Sequence, residues 1–230
     1  MNDELKLRAA MAAVDRVRPG MVLGLGSGST AHLFVQELGR RLRDRHLRDV
    51  VGVPTSWRIE RVAREAGVPL TTLNKHPVLD LTVDGADEVS PALDLLKGRG
   101  GALLREKIVA RASHQTVIVV DSSKLVSRLG ERTPIPVEVV RFGWQSVALQ
   151  LESLGGKPSL RVGPGAEPLV TDEGHCILDC DFGPLEDPGR LAREIRDIVG
   201  VVEHGLFLGI AREVIVASGD RVNILTRESR

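Results

Sequence analysis

The chain has 230 residues, 42% apolar and 27% charged, which suits one large folded domain or a medium one with a small companion. Its 31 Lys and Arg balance 31 Asp and Glu, so no global basic field is available for nucleic acid or an anionic membrane, and any anion site must be local. With no Tyr, four Phe and two Trp, a base-stacking platform is hard to build.

The opening MNDELKLRAA is charged and lacks the apolar core of a signal peptide, and no later run is long enough to span a membrane. A cytoplasmic protein is expected. Residues 3–18 read as a helix, with Leu5, Ala9, Ala12, Ala13 and Val17 near helical spacing and Pro19-Gly20 ending it. An apolar strand at 21–25 leads through a glycine-rich turn to a helix at 30–43. A strand at 50–53 and a helix at 56–66, closed by Gly67, follow. Strands at 79–83 and 116–120 enclose a helix at 102–112. This alternation predicts a parallel sheet with helices on its faces.

The rhythm changes near Thr133. Strand 136–140, helix 143–154, strands 159–162 and 176–181, helix 191–199 and strand 201–203 give the order β-α-β-β-α-β of a ferredoxin-like split unit. Strands at 213–217 and 222–226 are placed to rejoin the first sheet. The expected fold is α/β: a Rossmann-like parallel-sheet domain, residues 1–132 plus 205–230, with a small α+β domain inserted at 133–204. Cys176 and Cys180 lie four apart in a strand, about 13 Å, whereas a disulfide needs Cα atoms within about 7 Å. Two buried thiols in a reducing compartment are expected.

Four segments carry chemistry. In Gly24-Leu25-Gly26-Ser27-Gly28-Ser29-Thr30, glycines allow close backbone approach, and a helix start offers unpaired amides to a phosphate. A tight turn with Ser29 as helix cap is the plain alternative. No Gly-Lys-Ser/Thr closes the stretch as in a P-loop, Ser29 stands at the third glycine of a dinucleotide fingerprint, and no acid follows the next strand, so a small phosphate ester is favoured over NAD. In the second segment, Asp84 and Asp87 of VDGADE fall just past a strand's carboxyl end, where two carboxylates can take acid and base roles or simply solvate a turn. In the third, Lys97-Gly98-Arg99-Gly100-Gly101 leads into a helix whose second turn holds Glu106, a candidate base or else part of a surface face with Arg105 and Lys107. In the fourth, Lys124 of Asp121-Ser122-Ser123-Lys124 is one of only six lysines, a hint that a compact ammonium is wanted there. The six histidines show no metal-ligand spacing, and no Gly-x-Ser-x-Gly elbow supports serine hydrolysis.

These segments, with PIPVEV at 134–139, Ile177-Leu178-Asp179 and GVVEHGLF at 200–207, occur in the order of the A-type ribose-5-phosphate isomerase family, which the chain resembles over nearly its whole length. The resemblance implies a cofactor-free and metal-free aldose-ketose isomerase of the non-oxidative pentose phosphate pathway, acting on D-ribose 5-phosphate and D-ribulose 5-phosphate and assembled as a homodimer or homotetramer. With balanced charge and no membrane-spanning run, no nucleic-acid or membrane partner is expected. By the family pattern Glu106 moves the proton between C2 and C1, Asp84 and Asp87 bind sugar hydroxyls and help open the ring, and Lys97 with the Gly98 backbone stabilises negative charge. Ser27, Gly28, Ser29, Thr30 and Lys124 hold the substrate at or near its phosphate, Lys6 matches a family lysine there, and Gly85, Ala86, Arg99 and Gly100 complete the binding set. The chain departs from the pattern where Arg99 interrupts a glycine run, Leu104 replaces a common threonine and Ser27 replaces another. A non-catalytic sugar-phosphate sensor is the runner-up, but it should carry a helix-turn-helix module. An acyl-CoA transferase is disfavoured by VDGADE.

Overall fold

The computed structural model describes residues 2–227. In chain order the elements are α1 (Asn2–Val14), β1 (Val22–Leu25), α2 (Ser29–Arg43), β2 (Val51–Pro54), α3 (Trp57–Ala66), β3 (Leu79–Asp84), β4 (Glu88–Val89), β5 (Leu95–Leu96), α4 (Leu103–Arg111) and β6 (Ser113–Asp121). After a 3-10 turn at Ser122–Lys124 come β7 (Ile135–Val139), α5 (Trp144–Ser153), β8 (Lys157–Leu160), β9 (Cys176–Asp181), α6 (Pro188–Arg196), β10 (Val201–His204), β11 (Leu206–Phe207), β12 (Glu213–Ser218) and β13 (Arg221–Thr226). The chain forms two compact units: Met1–Ala86 with Arg105–Lys124 and Gly209–Arg230, and Asp87–Leu104 with Leu125–Leu208. The sequence-based division has the same nested order, but residues 87–104, 125–132 and 205–208 fall in the second unit.

The first unit is a six-stranded sheet in the order β13-β12-β6-β3-β1-β2. Its pairs are parallel except for the edge strand β13. As expected, the last strands return to this sheet, with β12 lying beside β6. Leu23, Leu25, Leu81, Val83, Val117, Val119 and Ile215 form one core with Ala9 and Ala13 of α1, Phe34 and Leu38 of α2 and Ile59 of α3. A fully buried side chain such as Phe34 contributes about 1.5–3 kcal/mol. Val53, Leu79 and Val109 of α4 form a separate cluster. Helix α3 has explicit ends: the Ser56 side chain accepts the Ile59 amide at 3.2 Å, and left-handed Gly67 closes it.

The second unit holds β7-α5-β8-β9-α6-β10, the order expected from the sequence, with strands arranged β10-β7-β9-β8 and all pairs antiparallel. Ile135, Val137, Val139 and Leu178 pack with Leu151 of α5 and Ile195 of α6. Helix α6 starts three residues before its expected position because Asp187 accepts the Arg190 amide at 2.8 Å and Pro188 takes the first helical position. Cys176 and Cys180 are free and buried in β9, and burial, aided by Asp179, pushes the Cys180 thiol up to about 12. A further antiparallel sheet, β11-β5-β4, consists of two-residue strands that the sequence reading did not contain. Among the described residues no helix is long and apolar enough to cross a membrane.

Candidate active site

The sheet of the first unit gathers polar groups at its carboxyl edge. Strand β1 ends at Leu25 and the chain turns into α2 through Gly26, Ser27 and Gly28. A Cβ on Gly24 would lie 2.5 Å from a methyl of Val109 and would strike Thr82, and one on Gly26 would land on the Asp84 side chain. These two glycines therefore give room to protein neighbours rather than to a ligand. Gly28 differs: nothing surrounds its would-be Cβ, but its φ of 100° lies where L-residues are strained. Gly28, not Ser29, is the cap residue of α2; Ser29 is the first helical residue, and no side chain caps the helix. An uncapped helix start leaves amides and partial positive charge for an anion.

The loop is tied to the end of β2 by two residues that the sequence reading did not assign to the site. Ser27 Oγ donates to Ser56 Oγ at 2.8 Å and lies 2.9 Å from Thr55 Oγ1, which donates to the Leu25 carbonyl at 2.9 Å. The signal was a Thr-Ser pair directly after a strand, with the serine opening a helix. At the end of β6, buried Asp121 accepts the Ser123 amide at 3.0 Å and the Ser123 hydroxyl, which fixes the turn carrying half-buried Lys124. Lys6 pairs with Asp3 at 3.6 Å. Two residues on, Arg8 reaches the β12–β13 turn, donating to the Gly219 carbonyl at 2.8 Å and to Asp220 at 3.0 Å. That turn follows the carboxyl end of β12, so the start of α1 lies toward the same edge.

Glu106 reaches this edge through α4. Val109 packs at the level of Gly24 and Thr82, and Ser113, after the helix, bonds Thr82 at 2.6 Å. Glu106 precedes Val109 by three residues, on the same helical face and about 4.5 Å along the axis. Arg105 lies over the Trp57 ring at 5.5 Å, which brings the start of α4 to the carboxyl end of β2. Strand alternation puts Asp84 on the face of Thr82, the face against which α4 packs. Glu106 and Lys107 are both buried, so they form no solvated charge face; with α4 starting at Leu103, Glu106 lies in its first turn rather than its second. Asp84 Oδ1 accepts the Gly85 amide at 2.7 Å. Gly85 and Ala86 follow, half-buried, before the chain crosses to the second unit.

The second unit carries Asp87, Lys97, Gly98, Arg99 and Gly100. Asp87 Oδ2 accepts the Arg99 amide at 3.1 Å. Lys97 is buried with its ammonium 5.4 Å from the centroid of Phe207, an aromatic partner not foreseen from the sequence. Gly98 is buried with φ 110°, and Arg99 and Gly100 are exposed. Glu88, the last residue of VDGADE, accepts the amides of Gly130 and Arg132 at 2.7 and 2.8 Å, a structural use of that carboxylate. The sequence-derived residues thus fall into two groups: Lys6, Ser27–Thr30, Asp84–Ala86, Glu106 and Lys124 in the first unit, and Asp87 and Lys97–Gly100 in the second. A cavity of about 410 Å³ in the first unit lies at the opposite, amino edge of the sheet, among Asp80, Leu81, His114 and Glu213. Among the described residues no group of three His, Cys, Asp or Glu side chains is placed to hold a metal ion.

Residues 51–221 match the family model for ribose 5-phosphate isomerase A (phosphoriboisomerase A). The chain belongs to the ribose 5-phosphate isomerase A family. It is 53% identical over 223 residues to a ribose-5-phosphate isomerase A of Roseiflexus castenholzii, covering 96% of this chain and 95% of the relative. The structure of the enzyme of Methanocaldococcus jannaschii superposes with a TM-score of 0.94 at 42% identity, covering 98% of this chain and all of that one. A D-ribose-5-phosphate isomerase solved in complex with phospho-erythronic acid gives a TM-score of 0.96 at 38% identity, covering 99% of this chain and all of that one.

Proposed function

We propose that the chain interconverts D-ribose 5-phosphate and D-ribulose 5-phosphate through an enediolate, as an enzyme of the non-oxidative pentose phosphate pathway. The observation that carries this reading is the placement of two buried carboxylates, Asp84 at 1% and Glu106 at 5% exposure, on one face toward the carboxyl edge of a parallel sheet. Open α/β sheets bind ligands at that edge. Glu106 takes the C2 proton of the open-chain aldose, the C–H electrons form the C1–C2 double bond, and the carbonyl electrons move to O1. Return of the proton to C1, with transfer of the O2 proton to O1, gives the ketose. A positioned base contributes roughly 100- to 10,000-fold, and pre-placed donors stabilise the oxyanion.

The remaining roles follow the family pattern. Asp84 and Asp87 hold sugar hydroxyls and assist ring opening, and Lys97 with the Gly98 backbone takes the developing charge. Ser27–Thr30 and the start of α2, with Lys124 and Lys6, hold the phosphate, while Gly85, Ala86, Arg99 and Gly100 line the sugar. Phosphate binding away from the reacting carbons orients the substrate. The bound compound of the 38%-identical relative, phospho-erythronic acid, would compete for the same groups here. Homodimeric or homotetrameric assembly belongs to this reading and fits the exposed apolar side chains of Phe142, Leu149 and Val199. Cytoplasmic residence fits the two free thiols.

The purified chain, assayed with chelator present, should form ketose from ribose 5-phosphate. Glu106→Gln should fold and bind substrate yet lose roughly three orders of magnitude in kcat; retention of activity within about tenfold, or 1.4 kcal/mol, removes Glu106 as the base. Turnover in deuterium oxide should place deuterium at C1 of the ketose, read by proton NMR. No incorporation after many forward and reverse cycles would count against a carboxyl-borne proton.

A further inference from the structure

Arg161 follows β8 directly, and its side chain is only 13% exposed. It is a diagonal neighbour of Asp179 on β9, because Ser159 is the residue opposite Asp179. Nε donates to Asp179 Oδ2 at 2.8 Å and Nη2 donates to Oδ1, a two-point fork that fixes the guanidinium plane. That leaves Nη1, which donates to the Gly98 carbonyl at 2.7 Å and the Arg99 carbonyl at 3.1 Å. The other end of the same Gly98–Arg99 peptide, the Arg99 amide, donates to Asp87 Oδ2 at 3.1 Å. In a trans peptide the carbonyl and amide point in opposite directions. One peptide group is thus held from both sides, by a guanidinium on its oxygen and by the Asp87 carboxylate on its nitrogen. All these residues lie in the second unit.

We propose that Arg161, clamped by Asp179, is a positioning residue that sets Asp87 for the sugar through the Gly98–Arg99 peptide. The inference rests on the reading of Asp87 as a sugar-binding carboxylate. Gly98, at φ 110°, leaves its peptide with little intrinsic preference for one orientation, so the orientation must come from partners. A cationic donor on the carbonyl also polarises the peptide and strengthens the amide as a donor. Lysine cannot reproduce this, because its single ammonium lacks the planar fork that Asp179 holds while one nitrogen remains for the loop.

The alternative is a simple tie between neighbouring segments, and a double-mutant cycle separates the two. kcat/KM on ribose 5-phosphate is measured for the wild-type chain, Arg161→Met, Asp87→Asn and the double variant, with thermal unfolding of each. Each single variant should lose about 10- to 100-fold, the scale of a misplaced binding group. If Arg161 acts through Asp87, the double variant should fall within about twofold of Asp87→Asn alone. Losses that multiply, or an Asp87→Asn variant at the wild-type rate, overturn the proposal. Should Arg161→Met fail to fold, Asp179→Asn, which weakens the clamp and keeps its shape, enters the same cycle with the same expectations. A wild-type chain that forms no ketose sinks the isomerase reading and the proposal together, whereas an active wild type with multiplying losses sinks the proposal alone.

Discussion

Two glycine-rich loops, Gly24–Gly28 in the first unit and Gly98–Gly101 in the second, look alike in sequence and are held in different ways. In the first, Gly24 and Gly26 make room for Thr82, Val109 and Asp84, so the loop is fixed by packing against the strand that bears Asp84, with Gly28 at its end in a positive-φ conformation. In the second, Gly98 and Gly101 have φ of 110° and 81°, Gly98 also lacks room for a Cβ beside Leu103 and Pro136, and the exposed part of the loop is held by hydrogen bonds from Arg161 and to Asp87. A glycine-rich motif therefore signals an unusual backbone need without saying whether the need is space or dihedral angle. Packing forgives substitution least, because a displaced backbone drags its neighbours, whereas a hydrogen-bonded loop can keep its frame while a side chain is added.

The largest effect is expected at Gly26. A Cβ there would lie 2.5 Å from the Cα of Asp84, so Gly26→Ala must displace either the loop or β3. Overpacking typically costs about 1–3 kcal/mol, and displacement of Asp84 adds a kinetic loss of about 100-fold. Urea unfolding and kcat/KM check both. An alanine variant with wild-type stability and rate would erase the distinction between the two loops.

The sequence made much of this fold legible because hydrophobic alternation and turn residues are local signals. The parallel sheet, the return of β12 and the β-α-β-β-α-β order of the second unit all follow from runs of four or more residues. Strands β4, β5 and β11 do not, since two residues carry no period. The division of units differs for a related reason: Glu88 ties the segment at Gly130 and Arg132 to its own unit across some forty residues, a bond no local pattern announces. Within the candidate site, Asp84, Glu106 and the α2 start are legible as strand-end and helix-start positions. Thr55 was not singled out, because its use depends on Ser27 lying opposite on a neighbouring strand end. The Arg161–Asp179 pair is silent for the same reason, its members being neighbours only across the β8–β9 pair.

The frame behind the first loop includes α2, where Glu37 sits among Arg40 at 2.7 Å and Arg41 at 3.0 Å. The Arg40 hydrogen bond, joined by Arg41, outweighs burial and holds the Glu37 carboxyl down at about 2 against an ordinary 4.5. A depressed carboxylate contributes stability that is complete above its unfolded value and lost as pH falls. The expected loss therefore runs from pH 4.5 down through about 2. With Arg40 half-exposed, solvent screening leaves about 1–2 kcal/mol. Urea midpoints across this window should fall more steeply for the wild type than for Glu37→Gln. Parallel curves for the two would mean that the ion-paired cluster adds nothing to the frame of the loop.

The smallest effect is expected at Gly100, and it tests the other half of the comparison. Gly100 is exposed, its φ is outside the left-handed region, and nothing lies within 4 Å of its would-be Cβ. Neither protein packing nor dihedral angle demands glycine there. Gly100→Ala narrows the unfolded ensemble and should raise stability by about 0.4–1 kcal/mol, read from the urea midpoint. Its effect on kcat/KM should stay within about threefold if Gly100 meets the sugar through its backbone amide alone, which alanine keeps. Arg99 next to it already brings a long side chain into the loop. A rise in stability with unchanged kinetics fits a loop whose order comes from Arg161 and Asp87 rather than from its glycines. A tenfold kinetic loss at unchanged or higher stability would mean that the added methyl enters the space of the bound sugar. Gly100 would then need to be glycine for room, as Gly26 does, with the ligand taking the place that Asp84 holds beside Gly26.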